Sequence, residues 1–211
     1  MCGLAGFFRN PETPQRDHHS RWLDAMGESI IHRGPDAGSS FLDDHIGMAH
    51  RRLSILDLSE AGNQPMASAS GRYVIAFNGE IYNFLELREN LEQQGLTFRT
   101  RTDTEVLLEL YEREGMACLE RLNGMFAIAI WDTQARELFL ARDRLGKKPL
   151  YYYQGKGGFA FASEIKALLR LPFLNTETRP DAVKDFFAYQ YIPDPKTIYK
   201  NVHKLEPGCW L

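Results

Sequence analysis

Cysteine is scarce in this chain, with three in 211 residues and no Cys-x-x-Cys spacing. Cys2, Cys118 and Cys209 are odd in number and far apart, which rules out a disulfide framework and a zinc signature. The six histidines show no His-Glu-x-x-His pattern, and the adjacent His18 and His19 would point in different directions on a helix. No metal is therefore expected. No apolar run reaches the ~18 residues of a membrane span. The N-terminus lacks the basic start and long apolar stretch of a secretory signal, and Glu12, Asp17 and Asp24 speak against a transit peptide. Basic excess is also missing: 25 Lys and Arg stand against 28 Asp and Glu, a net charge of −3. Neither nucleic acid nor a membrane surface is implied as a partner. There is no internal repeat and no low-complexity linker. The remaining expectation is a cytoplasmic globular protein of ordinary composition, long enough for one sizeable domain or a domain with a short extension.

Strand-like runs are frequent. They include 3–9 (GLAGFFR), 46–53 (IGMAHRRL), 73–78 (YVIAFN), 126–132 (FAIAIWD), 137–143 (ELFLARD), 149–153 (PLYYY) and 159–163 (FAFAS). They alternate with period two or are apolar throughout, as buried strands are. WDTQARELF and QGKGGFAF read as hairpin turns. Helical spacing appears over 20–31, after Asn83 and over 179–191. Thr102 with Glu105 forms a capping box, and Ser163 reads as the cap of a helix over 163–171. Without regular βαβ alternation, the pattern predicts α+β, sheet stacked on sheet with helices outside. The Pro-rich tail from 191 to 211 reads as a connection into a further domain, which puts the domain proper at 2–190.

Several stretches carry chemistry under one reading and structure under another. In MCGLAGFF, Cys2 is either a small buried hydrophobe or, once Met1 is removed, a terminal residue with both a thiol and a free α-amine. In FNGEIYN, Asn78-Gly79 is either a tight turn or a pair of donors, a side-chain amide and an open backbone N–H, suited to a developing oxyanion. Arg52, Glu80 and Asp103 read singly as a surface ion pair and a helix-terminal acid. Together they match a free amino acid, whose carboxylate suits an arginine and whose ammonium suits carboxylates. HRGPDAG (32–38) reads as a rigid loop. RDRLGKKPLYY (142–152) lacks P-loop spacing and reads as structural.

Taken in order, MCGLAGFF, HRGPDAG, RRLSILD, FNGEIYNF, RTDTEVLL, NGMFAIAIWD, RDRLGKKPLYY and FASEIKALL resemble the N-terminal glutaminase domain of the asparagine synthetases. Those are class II glutamine amidotransferases of the N-terminal-nucleophile hydrolase type. The resemblance runs from Cys2 to the end of the chain. It implies a four-layer αββα sandwich and Cys2 as the nucleophile exposed by removal of Met1. It also implies an oxyanion hole of Asn78 and Gly79, Arg52 on the glutamine α-carboxylate, and Glu80 and Asp103 toward the α-ammonium. Leu53, Ser54, Ile55 and Leu56 would line the pocket.

The implied reaction is attack of Cys2 on the glutamine side-chain amide, release of ammonia, and hydrolysis of a γ-glutamyl thioester to glutamate. A free thiol and a free α-amine titrate within about a unit of each other, so the residue carries its own base. No cofactor is expected in this domain. ATP and Mg²⁺ are implied only for a synthetase domain in cis, whose pyrophosphate-binding loop is absent from these residues. Glutamine and that domain are the expected partners, with a homodimer left open. Two alternatives stand beside this reading: a non-catalytic glutamine-binding regulatory domain, and an amidotransferase serving another acceptor, such as a sugar carboxylate.

Overall fold

The computed structural model describes residues 1–8 and 16–211. In chain order its elements are β1 (Gly3–Phe8), α1 (Arg16–Ser29), β2 (Ala37–Leu42), β3 (Ile46–Arg52), β4 (Met66–Ala67), β5 (Tyr73–Ile81), α2 (Phe84–Gln93), α3 (Asp103–Glu114) and α4 (Cys118–Arg121). There follow β6 (Gly124–Asp132), β7 (Glu137–Arg142), β8 (Tyr151–Gly155), β9 (Gly158–Ala162), α5 (Ile165–Leu168), α6 (Pro180–Tyr189) and β10 (Val202–Lys204). The strands form two antiparallel sheets, ordered β10-β8-β9-β1-β3-β2 and β4-β5-β6-β7.

Side-chain alternation explains why so many strands are apolar throughout. Leu4, Ile46 and Met48 of the larger sheet meet Val74, Ala76, Ala127, Ala129 and Trp131 of the smaller one. The opposite face of the larger sheet, with Ala5, Phe7 and Ala49, packs on Leu23 and Met26 of α1, on Ile30 just after it, and on Ala167 and Leu168 of α5. The opposite face of the smaller sheet, with Ile75, Phe77, Ile128 and Ile130, packs on Leu87 and Leu91 of α2 and on Val106, Leu107 and Leu110 of α3. Both faces of each sheet are thus buried, and the layers run helix, sheet, sheet, helix, as expected. The glycine in the first strand serves close packing: a Cβ at Gly6 would come within 2.4 Å of the Phe161 ring and 2.6 Å of the Gly47 carbonyl oxygen.

Local expectations shift in instructive ways. β5 does not stop or turn at Asn78-Gly79 but runs on to Ile81, pairing with β6 throughout. Asn83 precedes α2 without capping it. Its amide instead donates to Arg121 O at 2.9 Å and accepts from Asn123 N at 3.0 Å, tying α2 to the loop before β6. Thr102 caps α3 by accepting from Glu105 N at 3.2 Å, but the box is not reciprocal. The Glu105 carboxylate accepts from the Arg99 and Thr100 backbone, while Thr102 N donates to Thr100 Oγ1. Ser163 caps no helix and closes onto β1, accepting from Leu4 N at 3.0 Å. Arg9, expected to end the first strand, lies outside the described residues. Residues 202–204 pair with β8, and Leu211 exchanges backbone hydrogen bonds with Leu140 of β7, so the tail touches both sheets. Among the described residues, no helix is long and apolar enough to cross a membrane.

Candidate active site

The pleat gathers the polar residues at one end of the sandwich. Cys2 and Arg52 share parity with the inter-sheet residues Leu4 and Met48, and Asn78 and Glu80 share it with Val74 and Ala76. Arg51 has the other parity and turns to α1, where it pairs with Glu28 and donates to Gly27 O. The outcome is a cavity of about 200 Å³ lined by Cys2, Arg52, Leu53, Ile55, Leu56, Asn78, Gly79, Glu80 and Asp103, with Met1 at its edge. Eight of the nine residues expected to bind substrate line it, along with Cys2. Ser54 does not: its N–H donates to Asp36 Oδ2 at 2.8 Å, and it lines a second cavity with Asp36, Ser59 and Asn63.

Cys2 is fixed at both its sulfur and its backbone. Its Sγ accepts from Leu53 N at 3.4 Å and donates to Leu53 O at 3.7 Å. Its carbonyl accepts from Arg33 Nε at 2.9 Å, and Arg33 Nη1 is held by Glu164 at 2.8 Å. HRGPDAG is therefore more than a rigid loop, since its arginine orients the residue that carries the thiol.

The free edge of β5 faces the cavity. β4 covers that edge only at Val74 and Ile75. Beyond it, the odd-numbered residues aim their backbone groups away from β6, as an antiparallel ladder alternates. Phe77 N–H donates to Gln64 Oε1 at 2.7 Å, and Ile81 N–H to Asp103 Oδ2 at 3.0 Å. Gly79 N–H, between them, points the same way into the cavity. Gly79 is glycine because a Cβ would lie 2.4 Å from the Met125 carbonyl oxygen and 2.6 Å from the Phe77 ring. Beside it the Asn78 side chain is buried with Nδ2 lacking any partner. A buried unpaired donor costs about 1–3 kcal/mol, and it stands ready for an acceptor that arrives with a ligand. His50 steadies the same stretch from the other sheet: its Nε2–H donates to Phe77 O at 2.9 Å. Burial lowers the His50 pKa to about 4, so the ring is neutral at physiological pH.

Charges divide along the cavity. Arg52 is 6% exposed, and its guanidinium donates to Ser59 O at 2.7 Å, to Asn63 Oδ1 at 3.1 Å and to Asp57 O. It thereby clamps the 53–63 loop, using three of its five N–H groups. Asp57 fastens the same loop by accepting from Ser59 and from Arg101 N, and the Ser59 hydroxyl leads in pulling its pKa down to about 2. Asp103, at the first turn of the buried helix α3, has its pKa raised to about 6, chiefly by desolvation and in part by the Glu80 charge. The Ile81 and Thr104 N–H groups oppose that rise.

Residue-type reasoning passed over Lys148, Gln64, Phe77, Thr102, Thr104 and Met125, all of which line the cavity. Gln64 and Phe77 carried no chemical signal in the sequence. Lys148 sits in a stretch read as structural, where only the contrast with its neighbour Lys147 could have pointed to it.

A glutamine amidotransferase domain family model matches residues 1–211. The chain is 42% identical over 208 residues to asparagine synthetase [glutamine-hydrolyzing] 1 of Bacillus subtilis, covering 99% of this chain and 33% of that protein. It is 40% identical to a putative asparagine synthetase [glutamine-hydrolyzing] 2 of Methanocaldococcus jannaschii, covering 98% and 42% respectively. It is also 33% identical to amidase chry2 of Gibberella zeae, with 100% and 32% covered. The chain thus spans about a third to two fifths of the length of these curated relatives. Among solved structures, an allosteric regulatory enzyme of purine biosynthesis superposes with a TM-score of 0.65 at 24% identity, over 80% of this chain and 43% of that one. At that identity the likeness concerns the fold.

Proposed function

The chain belongs to the glutamine amidotransferase domain family, and on that premise we propose that its cavity hydrolyses glutamine with Cys2 as the nucleophile. The observation that carries this reading is the unpartnered Asn78 Nδ2 in the same cavity as the Cys2 sulfur, beside the inward-facing Gly79 N–H.

With Met1 removed, the α-amine of Cys2 takes the thiol proton, directly or through a water, and the sulfur attacks the side-chain amide carbon. The new oxyanion takes hydrogen bonds from Asn78 Nδ2 and Gly79 N. The amine returns its proton to the leaving nitrogen, ammonia departs, and a γ-glutamyl thioester remains. Water, deprotonated by the same amine, cleaves the thioester to glutamate and restores the thiol. Arg52 offers its two remaining N–H groups to the α-carboxylate, and Glu80 and Asp103 receive the α-ammonium. Neutral His50 serves as a brace on the Phe77 peptide. The ammonia acceptor, the ATP and Mg²⁺ that would activate it, and a synthetase portion in cis belong to the remaining length of such proteins. Aspartate is the proposed acceptor, and the similarity to an amidase leaves room for a different acid.

A chloroketone analogue of glutamine tests the reading. Intact mass should show a single adduct on Cys2 in a chain that has lost Met1, and excess glutamine should protect against it. Labelling elsewhere, or without protection, would refute the assignment. A non-catalytic glutamine-binding module is separated by turnover, since it would bind the amino acid and release no Cys2-dependent ammonia.

Two quantitative expectations follow from the charges. Arg52→Lys keeps a cation but loses the planar fork, so KM for glutamine should rise by about tenfold or more. An unchanged KM in steady-state assays would indicate an amidase for a substrate lacking the α-carboxylate. Asp103 takes up a proton as the pH falls through about 6 and then no longer attracts an ammonium. kcat/KM, which reports the free enzyme, falls as the Cys2 amine takes up a proton, and it should fall more steeply below about pH 6, where Asp103 protonates as well. Asp103→Asn should remove that second, steeper part at a lower plateau, and a steepening unchanged in the variant would assign it to another group.

A further inference from the structure

The turn between β7 and β8 is built with unusual care around one carboxylate. Asp143 Oδ1 accepts from Leu145 N at 3.1 Å and Lys147 N at 2.9 Å, and Oδ2 accepts from Phe126 N at 3.2 Å and Lys148 N at 2.9 Å. Arg142 grips the turn from the other side, donating Nε to Lys148 O at 2.9 Å and Nη2 to Gly146 O at 2.8 Å. Both backbone groups of Lys148 are thus fixed. Lys147 is left exposed, whereas Lys148 is 6% exposed and lines the cavity that holds Cys2.

Among the described residues, Lys148 Nζ has no hydrogen bond or ion pair. Lysines are seldom buried unless paired, because an ammonium taken from water needs compensation. Of the other cations nearby, Arg33 is held by Glu164 and the Cys2 carbonyl with only its Nη2 lacking a partner, and Arg52 is held by the 53–63 loop. The four backbone N–H groups already occupy the Asp143 oxygens. Burial lowers the Lys148 pKa, as does the charge of Arg33, while Cys2, Glu80 and Asp143 raise it. Asp143 Oδ2 joins Lys148 N to Phe126 N, and Phe126 is the register partner of Gly79, which places Lys148 on the Gly79 side of the cavity, the side of the proposed oxyanion donors.

We propose that Lys148 binds the anionic γ-carboxylate of L-glutamate at the Cys2 end of the cavity, and that it is the residue by which this pocket tells glutamate from glutamine. The proposal rests on the reading of the cavity as a glutamine site and extends it to the product. Glutamine and glutamate differ only by an amide nitrogen in place of a carboxylate oxygen at the γ-position, so an uncompensated ammonium there meets a charge in one and none in the other. Lys148 and Arg52 then meet the two carboxylates of glutamate at opposite ends, and the product competes with substrate.

Isothermal titration of both amino acids into the full chain carrying Cys2→Ala, which prevents turnover, provides the test. Adding Lys148→Met should weaken glutamate binding by about tenfold or more while moving glutamine by less than about threefold, and Lys148→Arg should restore most of the glutamate affinity. Glutamine binding by the Lys148→Met protein reports that the pocket is still folded. Equal weakening of both ligands, or an unmoved glutamate affinity, would overturn the role of Lys148 while leaving the glutamine site standing. If the Cys2→Ala chain binds neither amino acid, the glutamine reading falls and this inference with it.

Discussion

A chain that keeps a residue in front of Cys2 should release no ammonia from glutamine, as silent as one that lacks the sulfur. The expectation follows from where the base resides. In the described structure the amine is on Met1, at the edge of the cavity, and Met1 is 58% exposed. A preceding residue turns the Cys2 nitrogen into an amide, which has no basicity, and moves the free amine by up to about 3.8 Å. Two neighbours are committed elsewhere: His50, the buried imidazole of this region among the described residues, donates to Phe77 O, and Lys148 is the cation proposed above to meet a carboxylate. Cys2→Ala and an unprocessed N-terminal extension should each lower turnover by about 10⁴-fold or more, and together no further, because they disable one unit. Ammonia release can be measured on an extended chain before and after a site-specific protease cuts directly ahead of Cys2. Activity should appear only with the cut. Normal turnover by the extended chain would end the account of the amine as base.

Asn78→Ala should cost about 10²–10³ in kcat, the usual consequence of losing one oxyanion donor, with little change in KM. The same substitution should leave the thermal midpoint unchanged or raise it. Asn78 Nδ2 is buried without a partner in the free protein, so its removal relieves a desolvated group worth about 1–3 kcal/mol. Few positions combine a large kinetic loss with retained stability, and the pairing separates a donor reserved for the transition state from a residue that merely supports the fold. Steady-state kinetics with thermal melts reads both. A large fall in the midpoint with proportionate loss of activity would instead make Asn78 structural. Gly79 admits no equivalent experiment, since a Cβ there meets the Met125 carbonyl.

The comparison of residues with structure divides along a physical line. Apolar runs such as FAIAIWD announced strands buried on both faces, and the layered α+β arrangement followed from their number and order. The ordered motifs led to Cys2, Arg52, Asn78, Gly79, Glu80 and Asp103, and the strand pleat carries the first four of these, with Glu80, to one end of the sandwich. Capping was less legible. Asn83, Ser163 and Glu105 carry side chains that suit helix starts, yet each bonds at longer range or to a preceding loop, because buried backbone groups nearby needed partners more than the helices did.

From the residues alone, the family, the stacked sheets and the proposed nucleophile Cys2 could be read, since each depends on residue types at fixed spacing. Only the folded chain revealed that β5 runs on past Asn78 and turns Gly79 N–H inward, that Arg33 holds the Cys2 carbonyl, and that Ser54 faces away. It alone placed Lys148 among the cavity walls. These facts depend on which neighbour claims each hydrogen bond, and that competition is resolved between strands and loops distant in the chain.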